Sequence, residues 1–223
     1  NSCTSDGDQR GVVVRDSIDL QLISTTISSA IEEPALDIDN SGTIFPGYVI
    51  LDDLAINSDS SNYSVLLNEV DALIDGMDLS GQGGMLWVAN GDLPSTFSNS
   101  VIHDSESHCL DLNSHNGLVA SSISLICEEL PVLIETTANF TESSLVQDSS
   151  APSTFVLKSN SHLRWISSGL IETPQYEEEG TILDVMWGIE VHTINQNLLN
   201  IPFAAVNISF EQFESECAGV FIA

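Results

Sequence analysis

The feature that most constrains this chain is a repeat. Short apolar pairs separated by one residue recur along it, each followed by Asn: Leu36/Ile38 then Asn40, Val65/Leu67 then Asn68, Leu86/Val88 then Asn90. The series continues with Leu110/Leu112 then Asn113, Val132/Ile134 with a weaker match at Asn139, and Phe155/Leu157 then Asn160. First members are spaced 29, 21, 24, 22 and 23 residues apart, a period in the range of stacked-coil architectures. Over 223 residues that period predicts about nine coils, with 1–10 as an N-terminal segment or junction and 11–223 as a single domain.

Inside a unit, apolar and polar residues alternate over three to five positions between Ser, Asn, Asp and Gly. The stretch 107–129 is the clearest: Ser-His-Cys-Leu-Asp-Leu, a turn at Asn-Ser-His-Asn-Gly, then Leu-Val-Ala-Ser-Ser-Ile-Ser-Leu-Ile-Cys. Period two means short strands with one buried face. Helical repeats of this length need apolar stripes at i, i+3 and i+4, which most units lack. Asn suits the turns because it tolerates left-handed backbone, and stacked Asn side chains can bond as a ladder. One segment departs from the pattern: Leu66, Val70, Leu73, Ile74 and Met77 lie at helical spacing, predicting a helix over Tyr63–Met77 that ends near Gly76.

These features resemble the right-handed parallel β-helix, the pectate-lyase-like solenoids, over residues 12–220 or so. The resemblance implies an all-β chain; an antiparallel β-sandwich or jelly roll is the alternative that short strands with frequent turns also permit. A second resemblance is carried by Cys3-Thr-Ser-Asp-Gly-Asp-Gln-Arg-Gly11. It is similar to the Cys…Asp-Gln-Arg-Gly segment of large secreted bacterial surface proteins built from such repeats. There the segment lies late in the chain, whereas here it comes first; with Asn1 in place of Met, this suggests excision from a longer precursor.

Thirty-three Asp and Glu against four Lys and Arg give a formal charge of −29. That balance argues against nucleic-acid partners and anionic membranes, both of which need a basic patch. The basic residues Arg10, Arg15, Lys158 and Arg164 are too scattered to make one. A hydrophobic share of 42% supplies a core despite the charge. The shortage of Lys and the abundance of Ser point to an extracellular or cell-surface setting. Four cysteines without CxxC spacing read as two disulfides of an oxidising compartment. Cys109 and Cys127 fall in one coil and can close a local bridge. Nine coils at about 4.8 Å hold Cys3 and Cys217 too far apart to meet within one subunit, which leaves them unpaired or bonded across a head-to-tail junction. Asn62, Asn139 and Asn207 each open an N-glycosylation triplet.

Chemistry-bearing patterns are sparse. Asp37-Ile-Asp39-Asn-Ser-Gly42 matches the first half of a calcium loop, but Tyr48 stands where the bidentate Glu belongs. A simpler calcium site on Asp37 and Asp39 is the one cofactor candidate; solvated acids are the competing reading. Lys158, His162 and Arg164 lie within seven residues, and lyases of the resembled fold use a basic residue to abstract a proton. Pairing with surplus carboxylates is the plainer reading, because a surface at −29 repels polyanionic substrates. His103 and His108 flank acidic residues, Glu177–Glu179 reads as a loop charge run, and Gly81-Gln-Gly-Gly84 lacks the helix and Lys of a phosphate loop. Trp87, Trp165 and Trp187 could serve as sugar platforms, although Trp is more often buried.

The leading expectation is a secreted structural protein, a filament subunit or an adhesin or matrix stalk, whose open solenoid ends stack copy on copy. A polysaccharide lyase or glycoside hydrolase, or a calcium-dependent carbohydrate-binding module, is the alternative. The partners are then itself and glycans.

Overall fold

A computed structural model describes residues 11–17, 20–29, 32–39, 49–60, 62–105, 109–127, 132–147, 155–158, 160–168, 175–176 and 181–186. Among these residues the chain is all-β. From the N-terminal side the strands are β1 (Val12–Arg15), β2 (Gln21–Ser29), β3 (Leu36–Asp39), β4 (Val49–Ser58), β5 (Tyr63–Asn68) and β6 (Ala72–Asp75). Next come β7 (Asp78–Gly81), β8 (Gly84–Val88), β9 (Thr96–Ser105), β10 (Leu110–Asn113), β11 (Leu118–Cys127) and β12 (Val132–Glu135). The series continues with β13 (Thr137–Thr141), β14 (Ser144–Gln147), β15 (Phe155–Leu157), β16 (His162–Ile166), β17 (Gln175–Tyr176) and β18 (Ile182–Met186).

The strands form two sheets. Sheet A is eight-stranded in the order β1-β3-β5-β8-β10-β12-β15-β17; sheet B runs β2-β4-β6-β9-β11-β13-β16-β18, with β7 and β14 continuing β6 and β13 past a bend. A strand of sheet A is followed by a strand of sheet B and then by the next strand of A. The chain therefore climbs one rung per repeat as a right-handed parallel β-helix, the hand that parallel crossovers take almost always. Every strand pairing is parallel, for example Leu36 beside Val65 and Val119 beside Asn139. That excludes the antiparallel sandwich. The described rungs fall short of nine: sheet A has eight strands. An even division assumed a constant period, whereas the rise from Leu36 to Val65 takes more residues than the rise from Val65 to Met85.

The core is a set of inward columns. On sheet A, Leu36, Val65, Met85, Leu110 and Val132 stack and are fully buried; Phe155 continues the column by register. The expected column held Leu86 instead of Met85. Leu86 pairs with Leu66 and Asp111 on the outer face and is half-buried, a slip of one residue within the apolar run Met85-Leu86-Trp87-Val88. On sheet B, Leu51, Ile74, Phe97, Ala120, Phe140 and Trp165 stack in the same way. The expected helix over Tyr63–Met77 is absent. Strands β5 and β6 occupy it, and a turn between them shifts the parity so that two period-two patterns together imitate helical spacing.

Sheet B strands bend sharply at one column of left-handed residues: Ser24, Asp53, Gly76, Asn99, Ser122, Glu142 and Ser167, with φ between 47° and 68°. The bend turns the next backbone N–H away from its ladder partner, and serine supplies a replacement acceptor. Ser100 Oγ accepts from Met77 N at 2.9 Å, Ser143 Oγ from Ile123 N at 3.2 Å, and Ser168 Oγ from Ser143 N at 2.9 Å. Each hydroxyl donates in turn to the carbonyl two residues back along the chain. Interior serine here is backbone satisfaction.

Candidate functional site

Outward columns carry the polar chemistry, because alternation sends every second side chain of a strand away from the core. Among the described residues, four regions carry the arginine, histidine and tyrosine chemistry, three on outward columns and one at an inner corner, and each crosses rungs.

At the N-terminal side of sheet A, the Arg15 guanidinium forks onto both oxygens of Asp37, donating to Oδ1 at 2.9 Å and to Oδ2. Its Nε is 4.0 Å from Asp39. The bond to Asp37 lifts the Arg15 pKa above its ordinary value. Asn68 donates to Asp39 at 3.4 Å. A calcium ion on Asp37 and Asp39 would have to displace Arg15 first. Among the described residues no group of three or more His, Cys, Asp or Glu side chains is arranged to hold a metal.

On the outer face of sheet B, His162 lies 2.8 Å from the Asp184 carboxylate one rung on, and Arg164 Nε lies 3.7 Å from the same carboxylate. Lys158 does not join them. It follows β15 at the end of a sheet A strand, where its backbone N–H bonds Ile134 O. The three basic residues are thus split between two walls, and two of them share one Asp. His103 pairs similarly with Asp78 at 2.9 Å; His108 and Glu177–Glu179 lie outside the described residues.

Tyr63 reaches past one rung to donate to Asp111 at 3.3 Å. Burial, and then the neighbouring carboxylate, push its phenol up to about 12. The fourth region is the inner corner between the sheets. There Trp87 Nε1 donates to Val70 O at 2.7 Å, and the His115 ring stands edge-on to Trp87 at 4.5 Å. Burial lowers the His115 pKa to about 4. Buried Asp71 accepts from Gly91 N and Leu93 N at 2.9 and 3.0 Å.

The tryptophans follow the commoner, buried reading. Trp87 and Trp165 are wholly buried, packed on Phe97 and Phe140, so neither can offer a face to a sugar. Trp187 lies outside the described residues. Asn ladders are also absent among these residues. Val88 separates Asn68 from Asn113 in their shared column, and Asn113 donates instead to Glu135 at 3.2 Å. Asn62 is exposed before β5, whereas Asn139 sits on β13 with its Oδ1 buried and unbonded; Asn207 lies outside. Cys109 is buried ahead of β10, Cys127 closes β11, and Cys3 and Cys217 lie outside the described residues.

The corner and the serine brackets had no advance signal in the sequence, because each joins residues on different rungs. Compared with known proteins, the chain matches no family model, no curated protein and no solved structure.

Proposed function

We propose that this chain is a secreted structural protein, of the pectate-lyase-like kind found in bacterial surface proteins, whose solenoid extends by stacking further rungs on its ends. The stacking partner in this reading is a second copy placed head to tail. One observation carries it: the inward apolar columns, closed everywhere between, stay incompletely covered at both described ends. Val12, Val14, Leu20 and Leu22 are only part-buried at one end, and Leu183 and Val185 at the other. By register these residues belong to the columns of the closed core. A parallel rung placed on either described end would cover them and pair the strand that is outermost among the described residues.

An oxidising, extracellular setting is supported by Cys109, which is disulfide-bonded. Cys127 is its proposed partner, with Cys3 and Cys217 proposed to bond across the junction between copies. Surface glycosylation is proposed at exposed Asn62 ahead of Asn139.

Sedimentation velocity with negative-stain microscopy over a range of concentrations tests the assembly. Growth into fibres that Leu22→Lys abolishes is the expected result. A monodisperse monomer at every concentration, with or without the substitution, overturns it. Non-reducing electrophoresis then separates a reducible ladder, expected for a Cys217–Cys3 junction, from an internal bridge.

A further inference from the structure

The inner corner at His115 has no part in end stacking, yet it carries an ionisable ring in an unusual setting. His115 is 7% exposed. Its Nε2 lies 3.3 Å from Trp87 O, and since a carbonyl only accepts, the proton of the neutral ring sits on Nε2. That leaves Nδ1 as a bare acceptor, and it is buried without a partner. The backbone carbonyl of His115 accepts the Thr136 hydroxyl at 2.8 Å. Through Trp87, whose indole bonds Val70 O, His115 therefore links four successive rungs from Val70 to Thr136.

We propose that His115 is an acid-operated latch on this corner: taking up a proton at Nδ1 drives the ring out of the interior and releases the tie between β8 and the rungs above it. A protonated Nδ1 would be a charged donor with no acceptor in an apolar interior, which is costly. Among the described residues no neighbouring carboxylate offsets the charge. Asp71 spends both oxygens on backbone amides, Asp92 is bonded to Asn90 at 3.0 Å on the surface, and Glu135 faces outward onto Asn113. Glu69 and Asp111 are on the outer side of the same walls, and Asp111 is bonded to Tyr63. Burial is the dominant influence on the ring, opposed only by the bond to Trp87 O. The exit in this proposal is through the turn itself. The turn after β10 carries left-handed Ser114 and Gly117, and a Cβ on Gly117 would meet nothing within 4 Å, so the turn has open space beside it.

Amide hydrogen exchange at residues 115–119, read as protection factors from pH 7.5 to 4.5, tests the latch. Wild-type protection is expected to fall up to about tenfold per pH unit below pH 6.5, the slope of one linked proton. His115→Gln and His115→Phe are expected to show no such slope. Flat wild-type protection, or the same fall in either folded variant, overturns the latch. Should neither variant fold, NMR titration of the wild-type ring decides. A depressed midpoint accompanied by exchange broadening of the Trp87 indole signal supports it; a midpoint near 6.5, or an undisturbed indole, overturns it.

Discussion

Gly81 sits where no side chain fits. Its φ is +126°, and a Cβ there would fall 2.0 Å from Ser58 O on the rung below. Gly117 is also left-handed but opens on empty space. Gly81→Ala is expected to destabilise by about 3 kcal/mol or more, and Gly117→Ala by only about 1 kcal/mol of backbone strain, both read by urea denaturation. Serine divides in the same way. Ser143→Ala strips Ile123 N of its acceptor and should cost about 1–3 kcal/mol, whereas Ser29 Oγ is buried without a partner, so Ser29→Ala should be nearly neutral. His115 makes stability depend on pH with a definite sign. Its folded pKa of about 4 lies below the ordinary 6.5, so the unfolded chain binds the proton more readily between those values. The contribution is whole above pH 6.5 and lost as pH falls to about 4, a loss of about 3 kcal/mol that His115→Gln should not show.

At the scale of elements, register is the quantity that matters. Met85 is buried in the sheet A column and Leu86 faces outward. Met85→Ala is therefore expected to cost about 2–5 kcal/mol and Leu86→Ala distinctly less, measured by thermal unfolding. Equal costs would mean the strand is paired one residue out. Leu36 and Leu110 were legible because each opens a clean alternating segment, and Val65, Val132 and Phe155 because each is the first apolar residue of a short run. At residues 85–88 four consecutive apolar residues erase parity, and only the neighbours Val65 and Leu110 decide it. Between Tyr63 and Met77 the turn at Glu69, with φ of 53°, resets the phase of alternation, which a reading along the chain takes for a helix.

At the scale of the whole molecule, the charge of −29 and the stacked rungs act against each other. Parallel pairing places outward carboxylates such as Asp52 and Asp75 on successive rungs, about 4.8 Å apart along the sheet. Few cations are present to separate them, and Arg15 and Arg164 are already engaged with Asp37 and Asp184. Salt should therefore stabilise this protein. Raising sodium chloride from about 0.01 M to about 0.15 M shortens the Debye length from about 30 to about 8 Å, and calorimetry should show a higher Tm. The same screening should favour end-to-end contact, so fibre growth is expected to rise with salt.

Alternation, the repeat near 24 residues and the excess of acid are properties of short stretches or of simple counting. The sequence alone therefore determined that this chain builds short strands, stacks them as a solenoid and keeps a strongly anionic surface. Tertiary structure decided the rest, since it depends on which rung lies against which. Stacking set the face presented by residues 85–88, gave Asp37 to Arg15, split Lys158 from His162 and Arg164, and buried Trp87 and Trp165. It also brought His115 against Trp87. The partners lie on different strands, most of them about a coil apart in the chain, and nothing local to either one specifies the other.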